Sequence, residues 1–170
     1  MNSSRFLYVV GASAAVAGVG AAIALGAGPP KIDGSGAGKV KIGDTYKQLR
    51  AKGAVGKIGP GCEFGGPNTR SARLKAPLKG YVNFTLKNPR KVTDVTVQGG
   101  GKARGLGVGA TIKQIKAKFP KAKVDHSAEQ VFQLTLVRIP KGGGGKFEFG
   151  VSTKTHKTEA IGVPYIGFCD

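Results

Sequence analysis

The side chains able to move protons are few: two histidines and nine carboxylates in 170 residues. His126 follows Asp125, and His156 lies in Lys154-Thr155-His156-Lys157. A histidine does general acid–base work when a partner orients it and a reacting group lies within hydrogen-bond reach. No nucleophile elbow, metal-binding helix pair or Cys–His signature accompanies either one. Both read as surface residues, His156 at a hairpin tip. Glu148 and Glu159 read as cross-strand partners of lysines. A hydrolase of an extracellular polymer would have to place His126, Glu148 and Glu159 in one acidic or His-lined cleft. A zinc site built from Cys62, Cys169, His126 and His156 lacks the local ligand pair that such sites use. The pattern therefore gives no catalytic residue, no metal ligand and no cofactor.

The glycine-rich stretches are equally poor in chemistry. Gly34-Ser35-Gly36-Ala37-Gly38-Lys39 has the look of a phosphate-binding loop, but Asp33 stands where the first glycine is needed. Val40 follows Lys39 where Ser or Thr should hold magnesium. Gly105-x-Gly107-x-Gly109 lacks dinucleotide-binding spacing and reads as a turn into a helix. Asn83-Phe84-Thr85 matches a glycosylation acceptor by chance, inside a strand.

The elements that would position any site follow from an internal echo. Laying Ile42–Ile58 on Val108–Val124 matches seven of seventeen positions. Leu74-Lys75-Ala76-Pro77 answers Val137-Arg138-Ile139-Pro140, and Gly80–Phe84 answers Gly145–Phe149. Lys91–Val97 answers Lys157–Val163. The spacing predicts a tandem repeat. Thr45-x-x-Gln48 and Thr111-x-x-Gln114 each fit a capping box that opens a short helix. Gly43 and Gly109 allow the tight turn before it. Gly53 and Pro120 stop the helices after about two turns. Downstream, Val82, Phe84 and Leu86 alternate with Tyr81, Asn83 and Thr85. Phe147, Phe149 and Val151 alternate with Lys146, Glu148 and Gly150. Phe132, Leu134 and Leu136 alternate with Gln133 and Thr135. A period of two indicates antiparallel strands with one buried face. Pro77–Gly80 and Pro140–Gly145 read as hairpin connections. The expected fold is α+β: two helix-plus-antiparallel-strand repeats, each with about three strands, forming one sheet with the short helices on one face.

The N-terminus stands apart. Phe6 to Gly28 carries no charge, follows Arg5, and is rich in Ala, Gly and Val. Residues 1–28 fit a cleavable export signal or an uncleaved membrane anchor. Residues 29–38, Pro-Pro followed by Gly-Ser-Gly-Ala-Gly, read as a linker. The first repeat then covers 39–98 and the second 99–170, joined at Gly99-Gly100-Gly101. An even cysteine count in an exported chain favours one disulfide, Cys62–Cys169. Closing a loop of about a hundred residues would contribute about 4–5 kcal/mol by chain entropy.

Charge is the remaining signal. The net formal charge is +18, and both repeats share it: residues 31–98 hold 14 basic and 4 acidic groups, residues 99–170 hold 12 and 5. Lys113, Lys116, Lys118, Lys121 and Lys123 crowd the second helix and its exit. Lys47, Arg50, Lys52 and Lys57 do so in the first. Such faces keep a protein soluble or attract an anionic partner. For an exported chain the partners are an exported protein or an anionic envelope component. Nucleic acid is disfavoured by export and by the lack of aromatic-interleaved RNA signatures. Membrane contact is expected only through an uncleaved N-terminus.

The doubled Gly-x-Thr-x-x-Gln helix followed by hairpins resembles the secreted β-lactamase inhibitory proteins and the related outer-membrane assembly lipoprotein BamE. The resemblance covers about residues 38–170. It implies an α+β fold with helices on one face of a shared sheet, and protein binding rather than catalysis. The chain departs from that group in having no Trp, a strongly basic surface and no cysteine after the apolar stretch. The expected role is an exported, non-enzymatic protein-binding or cell-envelope module. The alternatives are an extracellular polyanion binder and an inhibitor of a secreted enzyme. The expected partner face is the polar strand side, Tyr81, Asn83, Thr85, Gln133 and Thr135, with the lysine-bearing helix face, Lys113 and Lys116, as its rival.

Overall fold

The computed structural model describes residues 28–61, 69–140 and 145–168. Residues 1–27 of the expected export segment, and both cysteines of the expected disulfide, lie outside the described residues. The chain opens with three two-residue strands, β1 (Ile32–Asp33), β2 (Gly36–Ala37) and β3 (Val40–Lys41). Then come α1 (Tyr46–Ala51), β4 (Val55–Pro60), β5 (Arg70–Leu74), β6 (Lys79–Phe84) and β7 (Val92–Gly99). The rest comprises α2 (Ile112–Lys118), β8 (Lys123–Asp125), α3 (Glu129–Phe132), β9 (Leu134–Ile139), β10 (Phe147–Ser152) and β11 (Thr158–Val163). The class is α+β. Strands β4 to β11 form one eight-stranded sheet in the order β4-β5-β6-β7-β11-β10-β9-β8. All neighbours are antiparallel. Divided between β7 and β11, each half of the sheet thus holds four strands, one more than the alternation suggests.

Alternation explains the core. Val82, Val95, Val97, Val137, Phe149 and Ile161 point to one face and pack in a single cluster with Leu49 of α1 and Ile115 of α2. Helices this short are marginal alone and depend on such burial. Both begin on a complete capping box. Gln48 N–H donates to Thr45 Oγ1 at 3.3 Å and Thr45 N–H to Gln48 Oε1 at 2.8 Å. In α2 the corresponding distances for Thr111 and Gln114 are 3.3 Å and 2.9 Å. The turn before each helix is tied to the start of a central strand. Gly43 N–H reaches the Val92 carbonyl at 3.0 Å, and Val92 N–H reaches the Asp44 carbonyl at 2.9 Å. Gly109 N–H reaches the Thr158 carbonyl at 2.8 Å, and Thr158 N–H reaches the Ala110 carbonyl at 2.8 Å. Gly43 at φ 85 and Gly109 at φ 91 occupy backbone conformations that a side chain would strain. Aromatic edges complete both packings: Tyr46 meets Phe84 at 5.6 Å, and Phe119 meets Phe147 at 5.4 Å.

Residues 29–38 do not behave as a linker. Ile32, Ala37 and Val40 are buried and belong to the main core. Ile32 N–H donates to the Lys102 carbonyl at 2.8 Å, and Lys102 N–H to the Pro30 carbonyl at 2.9 Å. The glycines are there for close approach: a Cβ on Gly34 would lie 2.1 Å from the Gly145 backbone. Composition alone does not separate glycine that frees a chain from glycine that lets two backbones touch.

Candidate functional site

The second face of the sheet is also covered. Chain reversal after β11 lays Pro164–Phe168 across it as a strap. Ile166 N–H donates to Glu148 Oε1 at 2.8 Å, and Gly167 N–H donates to Thr96 Oγ1 at 3.0 Å. The Tyr81 hydroxyl donates to the Gly167 carbonyl. Phe168 stacks on Phe132 of α3 with ring centroids 3.8 Å apart and planes 7° from parallel. Ile166 packs with Ala128, Leu136 and Ala160 in a second, smaller core. Small residues beneath make room: a Cβ on Gly162 would stand 2.2 Å from Ile166 N.

Arg138 organises the charges beside the strap. Its Nη1 lies 2.5 Å from Asp125 Oδ2, and its Nε lies 3.4 Å from Glu148 Oε2. The register explains this, since Arg138 stands opposite Glu148 on β10 and opposite Lys123 on β8. Glu148 is only 5% exposed. Burial pushes its carboxyl above the usual range, against the opposing hydrogen bond from Ile166 and the charge of Arg138. Burial likewise raises Asp94, against hydrogen bonds from Thr93, Asn83 and Tyr165. At the rim the direction reverses. Hydrogen bonds from Ser127, with Arg138 nearby, hold Asp125 low. Thr135 and His126 hold Glu129 low.

Next to this network opens a cleft of about 620 Å³. Leu136, Pro164, Ile166 and Phe168 make its apolar wall. Lys123, Arg138 and Lys146 line it as cations, and Glu148 is its single carboxylate among the described residues.

The residues expected to form one polar partner face are dispersed. Tyr81 and Asn83 are buried, Tyr81 beneath the strap and Asn83 donating to Asp94 Oδ1 at 2.8 Å. Thr85 lies past the end of β6, exposed, its Oγ1 accepting from Lys91 N–H at 3.0 Å. Gln133 is exposed at the left-handed end of α3, φ 54, rather than in a strand. Thr135 is buried opposite Val151, on the helix-bearing face, with its hydroxyl on Glu129. The alternation of Phe132, Leu134 and Leu136 marks a different core: Phe132 and Leu136 belong to the smaller one, and Leu134 shares their face beside Gly150. Val137 and Ile139 are the β9 residues that enter the main core.

Lys113, Lys116 and Lys118 are exposed on α2, and Lys121 is exposed just past its end. Among the described residues none of these four makes an ion pair. Beside them, Arg104 sits 5.1 Å over the Phe119 ring. His126 is exposed with Nδ1 2.6 Å from Glu129 Oε1, and His156 is exposed in the β10–β11 turn. Neither histidine lines the cleft. The strap, the Arg138 network and the cleft escaped sequence reasoning. Their available signal was Pro164 after a strand, followed by Ile166 and Phe168 at alternate positions.

Comparison with protein-family models, with curated proteins and with solved structures finds no match.

Proposed function

We propose that the chain is an exported, non-catalytic binding module whose partner is an anionic component of the cell envelope or an acidic exported protein. The observation that carries this reading is the separation of charge. Asp33, Asp44, Asp125, Glu129 and Glu148 are engaged by basic groups within the fold. Lys113, Lys116, Lys118 and Lys121 stay exposed and unpaired among the described residues. Cations left in this way present a continuous positive potential to an incoming polyanion. The non-catalytic part of the reading is supported by Glu148. It is the carboxylate of the cleft, and one oxygen faces Arg138 while the other accepts from Ile166 N–H. The tie of Gly43 to Val92 and of Gly109 to Thr158 supports an ancestral duplication of the kind the β-lactamase inhibitory proteins and BamE suggest.

The test is retention of the purified protein on an acidic wall-polymer fraction, titrated with salt. Binding should fall steeply and log-linearly with salt, because each lysine contact releases a counterion. The quadruple variant K113Q/K116Q/K118Q/K121Q should bind with a distinctly shallower salt slope. Retention indifferent to salt and to the quadruple variant would remove the proposal.

A further inference from the structure

We infer that the cleft beneath the strap is a binding site for a small anionic amphiphile, a single carboxylate-type head on an apolar body. Its volume of about 620 Å³ falls within the roughly 300–1,000 Å³ of small-molecule sites. Two observations meet there. The wall formed by Leu136, Pro164, Ile166 and Phe168 offers apolar area of the kind a hydrocarbon body fills. Lys123 and Lys146 line the same cleft, are exposed, and have no ion pair among the described residues.

The third cation is already committed, since Arg138 faces both Asp125 and Glu148. Among the described residues the cleft therefore presents two ammonium groups without an ion pair, beside one guanidinium shared by two carboxylates. That balance selects the head. A neutral ligand would leave both ammonium groups with no anion to meet. A hydrophilic polyanion would meet the lysines and leave the apolar wall wet. One anionic head with a hydrocarbon body uses both. The cleft lies on the strap side of the sheet, whereas α2 packs on the other face. Polymer retention through α2 and ligand uptake in the cleft can therefore succeed or fail separately.

The experiment is calorimetric titration of the full chain with dodecanoate below its micelle concentration. Dodecanol and acetate serve as tail-only and head-only controls, with vesicles of an anionic phospholipid as a separate arm. Dodecanoate should bind saturably at one site, and dodecanol and acetate at least tenfold more weakly. K123Q/K146Q should raise Kd about tenfold, as two partly exposed charge contacts would. K113Q/K116Q on α2 should leave Kd unchanged. Amide shift changes should concentrate at Leu136, Ile166 and Phe168. Equal affinity for dodecanol, no saturable uptake, or an unchanged Kd in K123Q/K146Q would each overturn the inference. Binding to vesicles with none to monomeric dodecanoate would also overturn it, by making a bilayer surface the ligand.

Discussion

Replacing Gly162 with Ala should unseat the strap, and the structure limits how much that can cost. The new Cβ would lie 2.2 Å from Ile166 N, 2.2 Å from Tyr165 C and 2.4 Å from Tyr165 O. These are backbone atoms, so no rotamer change relieves the clash, and the strap must lift. The loss is then capped at the free energy that holds the strap down. Its attachments are the Ile166 N–H bond to the Glu148 carboxylate, about 2 kcal/mol, and the Gly167 N–H bond to Thr96, about 1 kcal/mol. To these add burial of Ile166, about 2–3 kcal/mol, and the Phe132–Phe168 stack, about 1 kcal/mol. The Tyr81 hydroxyl bond to the Gly167 carbonyl adds about 1 kcal/mol. Against this total of about 7–8 kcal/mol stands the ordering of five residues at about 1 kcal/mol each. The strap is therefore held by about 2–3 kcal/mol. In a domain of this size that corresponds to a fall in Tm of about 6–10 °C. Gly150→Ala is the matched control. Its Cβ would meet Ile166 Cδ1 at 2.7 Å and Leu134 Cδ1 at 3.3 Å, the movable ends of side chains. It should cost about 1 kcal/mol or less. Thermal unfolding and carboxypeptidase trimming together decide the matter. Gly162→Ala should lose Tm and become open to trimming from the C-terminus, and Gly150→Ala should do neither to a comparable degree. Equal effects of the two, or no new trimming in Gly162→Ala, would refute the account of the strap.

The helix cap offers a second test. Thr111→Ala removes the acceptor for Gln114 N–H and should cost about 1 kcal/mol, or about 3–4 °C in Tm, while Thr111→Ser restores most of it. A third concerns acid. Burial raises Glu148 in the native state above its ordinary 4.5, so the native form binds the proton more tightly than the unfolded chain. Its contribution is therefore fully present below 4.5 and declines as pH rises through the raised native value. Glu148→Gln should flatten that decline in denaturant midpoints measured across the acid range, and an unchanged pH slope would count against it. Asp33 runs the opposite way. Burial opposes its ionisation, but hydrogen bonds from Ser35 and the nearby Lys31 and Lys41 outweigh that and lower its pKa. Its stabilisation holds above 3.8 and is lost as pH falls through the lowered native value.

Local chemistry was the legible part of this chain. Thr45 with Gln48, and Thr111 with Gln114, are three residues apart, and a capping box needs nothing more distant. The α+β class was legible too, because Val82 and Phe84 alternate with Tyr81 and Asn83 as a half-buried strand requires. The same logic failed at β9, where apolar residues occupy both phases: Leu134 and Leu136 in one, Val137 and Ile139 in the other. A period of two marks a buried face only while the opposite face is wet. Here α3 and the strap supply a second apolar cover, so both phases are apolar and alternation carries no sign. The linker reading of residues 29–38 failed for a related reason. Gly34 and Gly145 press backbone on backbone across about 110 positions of sequence, a contact no local window contains.

The strap also changes which surfaces remain for a partner. An open polar sheet face would have offered Tyr81, Asn83 and Thr96 as hydrogen-bonding groups. Instead Tyr81 meets Gly167, Asn83 meets Asp94, and Thr96 accepts from Gly167 N–H. To use those groups a partner would first have to displace the strap, at a cost of about 2–3 kcal/mol, about 30- to 150-fold in affinity. The α2 lysines and the cleft carry no such penalty. Lys123 and Lys146 are exposed with the strap in place, and Ile166 and Phe168 of the strap themselves form part of the apolar wall. Gly162→Ala therefore separates the surfaces. Lifting the strap should weaken dodecanoate binding by removing most of its apolar wall, while leaving salt-dependent retention through α2 untouched. Loss of both together would mean that the two faces are not independent, and the assignment of distinct partners to them would fall.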